Sequence, residues 1–213
     1  MEKFGHRYSF LPPVIKLLLI SNCVVYFLEP VYTEFLIGNF ALWPVSADTL
    51  IPGLQQEYEF KLWQLVSYSF LHANLFHLVL NMYALWLFGS EMENLWGSRV
   101  FAIYYTVCVI GAGLTQTVVA SHMGALHPTV GASGGVFGLL LAFGLFFPNR
   151  LLLLVFPPVP IRAKWFVLIY GVIELVFGVT GTESGVAHFA HLGGMLFGFL
   201  LILHWAWHPP KAK

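Results

Sequence analysis

Charge is what this sequence has least of. Of 213 residues, 9% are Asp, Glu, Lys or Arg, and the ten basic and ten acidic residues cancel, whereas a soluble domain carries about 25% charged residues. So thin a polar complement cannot cover a chain that is 58% hydrophobic with a mean hydropathy of +0.77. A soluble enzyme and a disordered chain are therefore excluded. No basic patch is large enough to follow a phosphate backbone, which excludes a nucleic-acid-binding module. Cysteine is scarce too. Cys23 and Cys108, far apart and in apolar runs, form neither a disulfide framework nor a zinc motif and read as buried, inert thiols. Aspartate occurs once, as Asp48. Period-two alternation is missing, which excludes a closed β-barrel. What remains is an all-α polytopic membrane protein.

Apolar segments fall at about 12–28, 75–90, 99–120, 132–147, 164–180 and 185–206, and six helical spans are the simplest parse. Lys3 and Arg7 precede the first of them in the manner of a signal peptide. No small-residue cleavage site follows, so it reads as a membrane span. Pro12 and Pro13 suit a first helical turn, and Pro157, Pro158 and Pro160 break the chain before the fifth span. Trp63, Trp86, Trp96, Trp165 and Trp205 stand near span ends, as interfacial aromatics do. Alternate loops divide the basic residues unequally: Lys3, Arg7, Lys16, Arg99, Arg150, Arg162, Lys164, Lys211 and Lys213 on one side, Lys61 on the other. This asymmetry puts both termini in the cytoplasm. The stretch from about 30 to 62 then lies outside. Its apolar runs, Phe35-Leu36-Ile37 and Phe40-Ala41-Leu42-Trp43, suggest a loop partly in the membrane interface.

Polar side chains inside spans are costly, roughly 2.5–3.5 kcal/mol for a charge at the bilayer centre. Here they are His72, His77, Asn81, Ser133, Glu174, His188 and His191. Taken singly, a serine or asparagine in a span is more often a helix–helix hydrogen bond than a catalyst. Their depth is more informative. The second, fourth and sixth spans all run inward, and His77, Asn81, Ser133 and His191 all fall in the first turns of their spans. At about 1.5 Å per residue, His191 lies about 9 Å below a helix start near Gly185. Scattered structural groups have no reason to share one level; a single polar site does.

Ser133 lies in Gly131-Ala132-Ser133-Gly134-Gly135, where it can open a helix among unpaired backbone N–H groups. A serine nucleophile needs a base, and His191 is the candidate. No acidic residue neighbours His191 in sequence, so the expectation is a Ser–His dyad, not a triad. The small-residue stripes Gly134, Gly138, Ala142 and Gly194, Gly198 would let the fourth and sixth spans pack closely. His77 and Asn81, four apart on one helix face, can aim a ring N–H and an amide at one point beside the Ser133 N–H, the makings of an oxyanion hole. His72, Asn74, Thr182 and His188 are candidate polar lining for a water-filled opening above a fourth span of only 16 residues.

These residues carry a family resemblance over about 11–207. Trp63-Gln64-Leu65, Phe70-Leu71-His72, His77-x-x-x-Asn81, Glu93 with Gly97, Gly131-Ala132-Ser133-Gly134 and Ala190-His191-Leu192-Gly193-Gly194 with Gly198 resemble the motifs of the rhomboid intramembrane serine proteases. Gln64 departs from the arginine that many members carry. The resemblance implies a single six-transmembrane rhomboid-like bundle (about 11–207, between a short N-terminal segment 1–10 and a tail 208–213). It implies Ser133 as nucleophile, His191 as base, His77 and Asn81 as oxyanion donors, Phe137 stacked on the His191 ring, and His72 supporting water and loop structure. The fifth span acts in the family as a lateral gate, where lining the gate and bonding to the neighbouring loop both fit Glu174. The expected activity is cleavage of transmembrane protein substrates near their outer end, with no cofactor, metal or nucleic acid, in a bacterial cytoplasmic membrane. The alternatives are a non-catalytic rhomboid-like binder of membrane clients, which would lack the dyad, and a metal or haem protein using the histidines, which leaves Ser133 and Asn81 unexplained.

Overall fold

The structure, a computed structural model, describes residues 8–45, 59–123, 127–153, 158–181 and 186–210. Its helices are α1 (Pro13–Phe40), α2 (Gln64–Ser67, continued by a 3-10 turn, Tyr68–Phe70), α3 (Leu75–Trp96), α4 (Ser98–Met123), α5 (Ser133–Phe146), α6 (Ala163–Thr180) and α7 (His188–Trp207). The expected six-helix bundle is present as α1, α3, α4, α5, α6 and α7. Among the described residues α1, α4, α6 and α7 are long and apolar enough to cross a membrane, and α3 joins the α2 segment through a bend of 102°. At 14 residues, α5 is about 21 Å long against a hydrocarbon core of about 30 Å, shorter than the sequence suggested.

α5 and α7 form the centre with α4. Their small residues are placed where another backbone or ring arrives. A Cβ on Gly194 would run into the Gly134 carbonyl, and one on Gly138 into Cys108. Tyr104 Oη donates to the Gly138 carbonyl (2.8 Å) and Tyr68 Oη to the Val109 carbonyl (2.9 Å), so α4 is tied to α5 and to the α2 segment by buried hydrogen bonds. Cys108 is wholly buried and free, as its apolar setting implied, whereas Cys23 is free on α1 but only half-buried, against the expectation. α6 lies at the periphery. Its buried residues, Ala163, Val167, Glu174 and Gly178, mark one helical face turned toward α5 and α7.

At the end of the bundle away from Ser133, a buried carboxylate fastens three helices. Glu93, near the end of α3, accepts from the Val14 and Ile15 N–H groups (3.0 and 2.9 Å) and from Ser98 Oγ (2.6 Å). It thereby satisfies donors in the first turn of α1, where Pro13 has none to offer. Arg150 pairs with Glu91 (3.3 Å) at this same end.

Three features differ from the sequence reading. α1 does not stop near residue 28. It runs to Phe40 through Pro30, with a kink at Tyr32 (φ −122°, ψ 31°), because the proline removes one helical hydrogen bond without preventing the next turn. Within the apolar run beyond it, Ala41, Leu42 and Trp43 pack into the bundle, and Leu42 pairs with Thr129; residues 46–58 of the expected interface loop lie outside the described residues. The prolines before the fifth span accompany a short antiparallel hairpin, β1 (Leu151–Leu153) with β2 (Pro160–Arg162). Lys3, Arg7, Asp48, Pro157, Thr182, Gly185, Lys211 and Lys213 lie outside the described residues.

Substituting Gly194 by Ala is expected to overpack the α5–α7 contact against backbone and destabilise the bundle by about 1–3 kcal/mol, measured as a lower thermal unfolding midpoint. An unchanged midpoint would mean that the two helices have slack to separate.

Candidate active site

Ser133 is the first residue of α5, and its neighbour Gly131 (φ +123°) turns the chain into the helix. That φ favours glycine, and a Cβ there would also meet the His77 ring at 2.6 Å. The Gly131 N–H donates to the Tyr68 carbonyl (3.0 Å), and the first helical bond of α5 runs from the Val136 N–H to Ala132. The N–H groups of Ser133, Gly134 and Gly135 thus precede the helical ladder and stand at its positive end.

His191 lies in the first turn of α7, which starts at His188; the sequence-based start near Gly185 would have put it a turn deeper. The α5–α7 contact brings His191 Nε2 to 2.7 Å from Ser133 Oγ. Phe137, one turn below Ser133, stacks flat on the imidazole (centroids 4.2 Å apart, planes at 6°).

The structure adds an acidic partner that the sequence reading withheld. Glu174 Oε2 is 2.9 Å from His191 Nδ1 and 2.7 Å from His188 Nδ1, and all three residues are 6–7% exposed. Glu174 faces neither the lipid nor a loop through these bonds; it reaches across from α6 to the first turn of α7. An ionised carboxylate only accepts, so each neutral imidazole must carry its proton on Nδ1. His191 then presents the Nε2 lone pair to the serine hydroxyl. Serine, histidine and glutamate form one hydrogen-bonded chain, a triad geometry where a dyad was expected. The missed signal was positional. Gly171, Glu174 and Gly178 recur at three and four residues on the packing side of α6, so a charge on that face had to have a partner.

The other candidates gather nearby. Asn74 caps α3, accepting from the His77 N–H (2.9 Å), a role its Asx side chain suits better than lining an opening. His77 packs against the Gly131 turn two residues before Ser133. Asn81 is buried and spends one amide N–H on the His77 carbonyl (2.9 Å), leaving its second for another acceptor. His72 is buried edge-on to His77 (5.1 Å), its backbone N–H held by Glu29 (2.9 Å). Neither His72 ring nitrogen has a hydrogen-bond partner among the described residues. The four helices α3, α5, α6 and α7 therefore converge on one polar cluster at one end of an apolar bundle. Such a cluster can accept a hydroxyl proton and offer backbone and side-chain donors to a developing anion.

Residues 59–207 match the family model described as Rhomboid domain, a stretch that contains every one of these side chains except Glu29. Rhomboid protein 1, mitochondrial, of Saccharomyces cerevisiae is 32% identical over 162 residues, 75% of this chain and 45% of that protein. Presenilin-associated rhomboid-like protein A, mitochondrial, of Danio rerio is 30% identical over 169 residues, 79% of this chain and 41% of that protein. Rhomboid protease GluP of Bacillus subtilis is 33% identical over 138 residues, 64% of this chain and 25% of that protein. The chain spans less than half the length of these relatives. A match over well over half the chain, on the helices that carry the serine and histidine, shows that this multi-pass membrane protein belongs to the rhomboid family.

Proposed function

We propose that this chain is an intramembrane serine endopeptidase that cleaves transmembrane segments of other membrane proteins near their outer end. The observation that carries the reading is the 2.7 Å approach of His191 Nε2 to Ser133 Oγ. The basic-residue count supports placing both termini on the cytoplasmic side of the membrane, with α3, α5 and α7 entering from the outside and the polar cluster in the outer part of the bundle.

In this mechanism Ser133 Oγ attacks the scissile carbonyl carbon while its proton passes to His191 Nε2. The imidazolium that forms is flanked by the Phe137 ring and hydrogen-bonded through Nδ1 to Glu174, which holds the tautomer and offsets the new charge. The tetrahedral oxyanion is met by the N-terminal N–H groups of α5, with the His77 ring and the second Asn81 amide N–H as further donors. Collapse gives the His191 proton to the leaving amine and leaves an acyl-Ser133 ester. Water then deacylates it with His191 again as base. Both unpartnered nitrogens of His72 support its assignment to holding water at this end.

Three measurements test the roles separately. Ser133→Ala should fold normally, lose labelling by a fluorophosphonate probe and cease to cleave a reconstituted transmembrane substrate; residual full cleavage refutes the nucleophile, and a wild type that never labels points to a non-catalytic client binder. Asn81→Ala should lower kcat by about 10²–10³ if the amide is an oxyanion donor, and an unchanged kcat removes it from the site. Glu174→Gln keeps the shape and removes the charge that faces the imidazolium. It should lower kcat by about 10–10²-fold with little change in KM, as loss of a hydrogen bond to a charged group would. A rise in KM alone would make Glu174 a substrate contact instead.

A further inference from the structure

Acyl transfer needs one imidazole, yet two converge on the Glu174 carboxylate. His188 and His191 stand three residues apart on the first turn of α7 and both direct Nδ1 at the same oxygen, Oε2, at 2.7 and 2.9 Å. The three donor atoms lie within 4.8 Å of one another, and all three residues are buried. Nothing in the serine chemistry calls for His188 to be there.

We propose that Glu174, His188 and His191 form a binding site for a divalent transition-metal ion, and that Zn2+ bound there switches off proteolysis by taking His191 away from Ser133. Two histidines and one glutamate are a donor set that zinc sites use, with a fourth position left to water. Bonds of about 2.0–2.1 Å to a tetrahedral ion put ligand atoms roughly 3.4 Å apart. The two carboxylate–imidazole separations, 2.7 and 2.9 Å, must lengthen by about 0.5–0.7 Å, and the two Nδ1 atoms, at most 4.8 Å apart, must close by up to about 1.4 Å, both through side-chain rotation. Both histidines stand on one helical turn, so side-chain rotations are the ordering that binding requires. The positive end of α7 disfavours a cation; the carboxylate, placed between the two imidazoles, offsets it.

The consequence for the serine follows from the proton inventory. Coordination uses the Nδ1 lone pair, so the proton now on Nδ1 of His191 moves to Nε2, and the imidazole stays neutral. Nε2 then faces Ser133 Oγ as a donor where it had been an acceptor, and the hydroxyl has lost its base. Imidazole with carboxylate suits Zn2+, Co2+ and Ni2+ and gives no purchase to Mg2+ or Ca2+, which prefer all-oxygen shells. The inhibition rests on the protease reading; the binding does not.

The experiment therefore reads binding and activity apart. Co2+ is added to the full chain carrying Ser133→Ala, in detergent, and visible d–d absorption of low-coordinate Co2+ is followed. The bands should appear, be displaced by Zn2+, be untouched by Mg2+, and be absent when His188→Gln or Glu174→Gln is added to the same background. In the otherwise native chain, Zn2+ should lower fluorophosphonate labelling at least tenfold and chelation should restore it. His188→Gln, compared with its own metal-free rate, should need at least tenfold more Zn2+ for the same loss. Missing bands in the Ser133→Ala chain overturn the site, as do bands that survive both substitutions. Bands in a chain whose serine never labels, with or without metal, keep the site and overturn the protease reading instead.

Discussion

The contact between α5 and α7 is the constraint on which the rest depends. In lipid, no hydrophobic force drives two apolar helices together, and close packing with a few interhelical hydrogen bonds must do so. Here a methyl group on Gly194 would run into the Gly134 carbonyl, and one on Gly134 into Ala112 of α4. The tyrosines of α4 and the α2 segment donate into neighbouring carbonyls on either side. This backbone-to-backbone approach lets the short side chain of Ser133 reach an imidazole on another helix. The glycines that hold the bundle together and the residues that would do chemistry are neighbours in sequence, Gly134 following Ser133 and Gly194 three residues after His191.

Two glutamates show how an apolar bundle uses a buried carboxylate at its opposite ends. Glu93 is surrounded by donors that belong to the fold: two backbone N–H groups of α1 and a serine hydroxyl at the start of α4. Its partners are fixed groups, and the result is a joint. Glu174 meets two side chains that can each change protonation or tautomer. Its partners are titratable side chains, and the same residue type becomes one link in a hydrogen-bonded chain that ends at Ser133. Both satisfy the requirement that a buried charge be paired; the nature of the donors separates a structural group from a reactive one.

The long apolar runs made the six helices legible in the sequence, because in a membrane only helices and closed barrels satisfy their own backbones. Ser133 and His191 were legible for a related reason. Each stands in a small-residue setting near the start of an inward-running helix, so level and packing could be read before any coordinate. The extension of α1 to Phe40 was not, since Pro30 reads as a stop and only packing of Ala41–Trp43 into the bundle shows why the chain continues. The hairpin between Leu151 and Arg162 left no periodic signal because its strands are three residues each. Glu174 escaped assignment because its partners lie 14 and 17 residues away on the next helix. The spacing on α6 signals that a partner exists, but which residue it is remains a tertiary relation.

α6 joins the packing of the bundle to the polar cluster around Ser133. It is the least embedded of the helices around the site, with four buried residues along one face. A Cβ on Gly171 would meet only Met195, whereas Gly178 packs closely on the Phe189 ring and His188 of α7. Beside these apolar contacts, the two hydrogen bonds that Glu174 accepts from the first turn of α7 help keep the outer half of α6 in place, each worth about 1.5–3 kcal/mol when one partner is charged. The same two bonds fix the tautomer of His191. Any outward displacement of α6 that parts the carboxylate from α7 therefore also releases the imidazole that faces Ser133, so the seating of this helix and the orientation of that ring are set by one set of atoms.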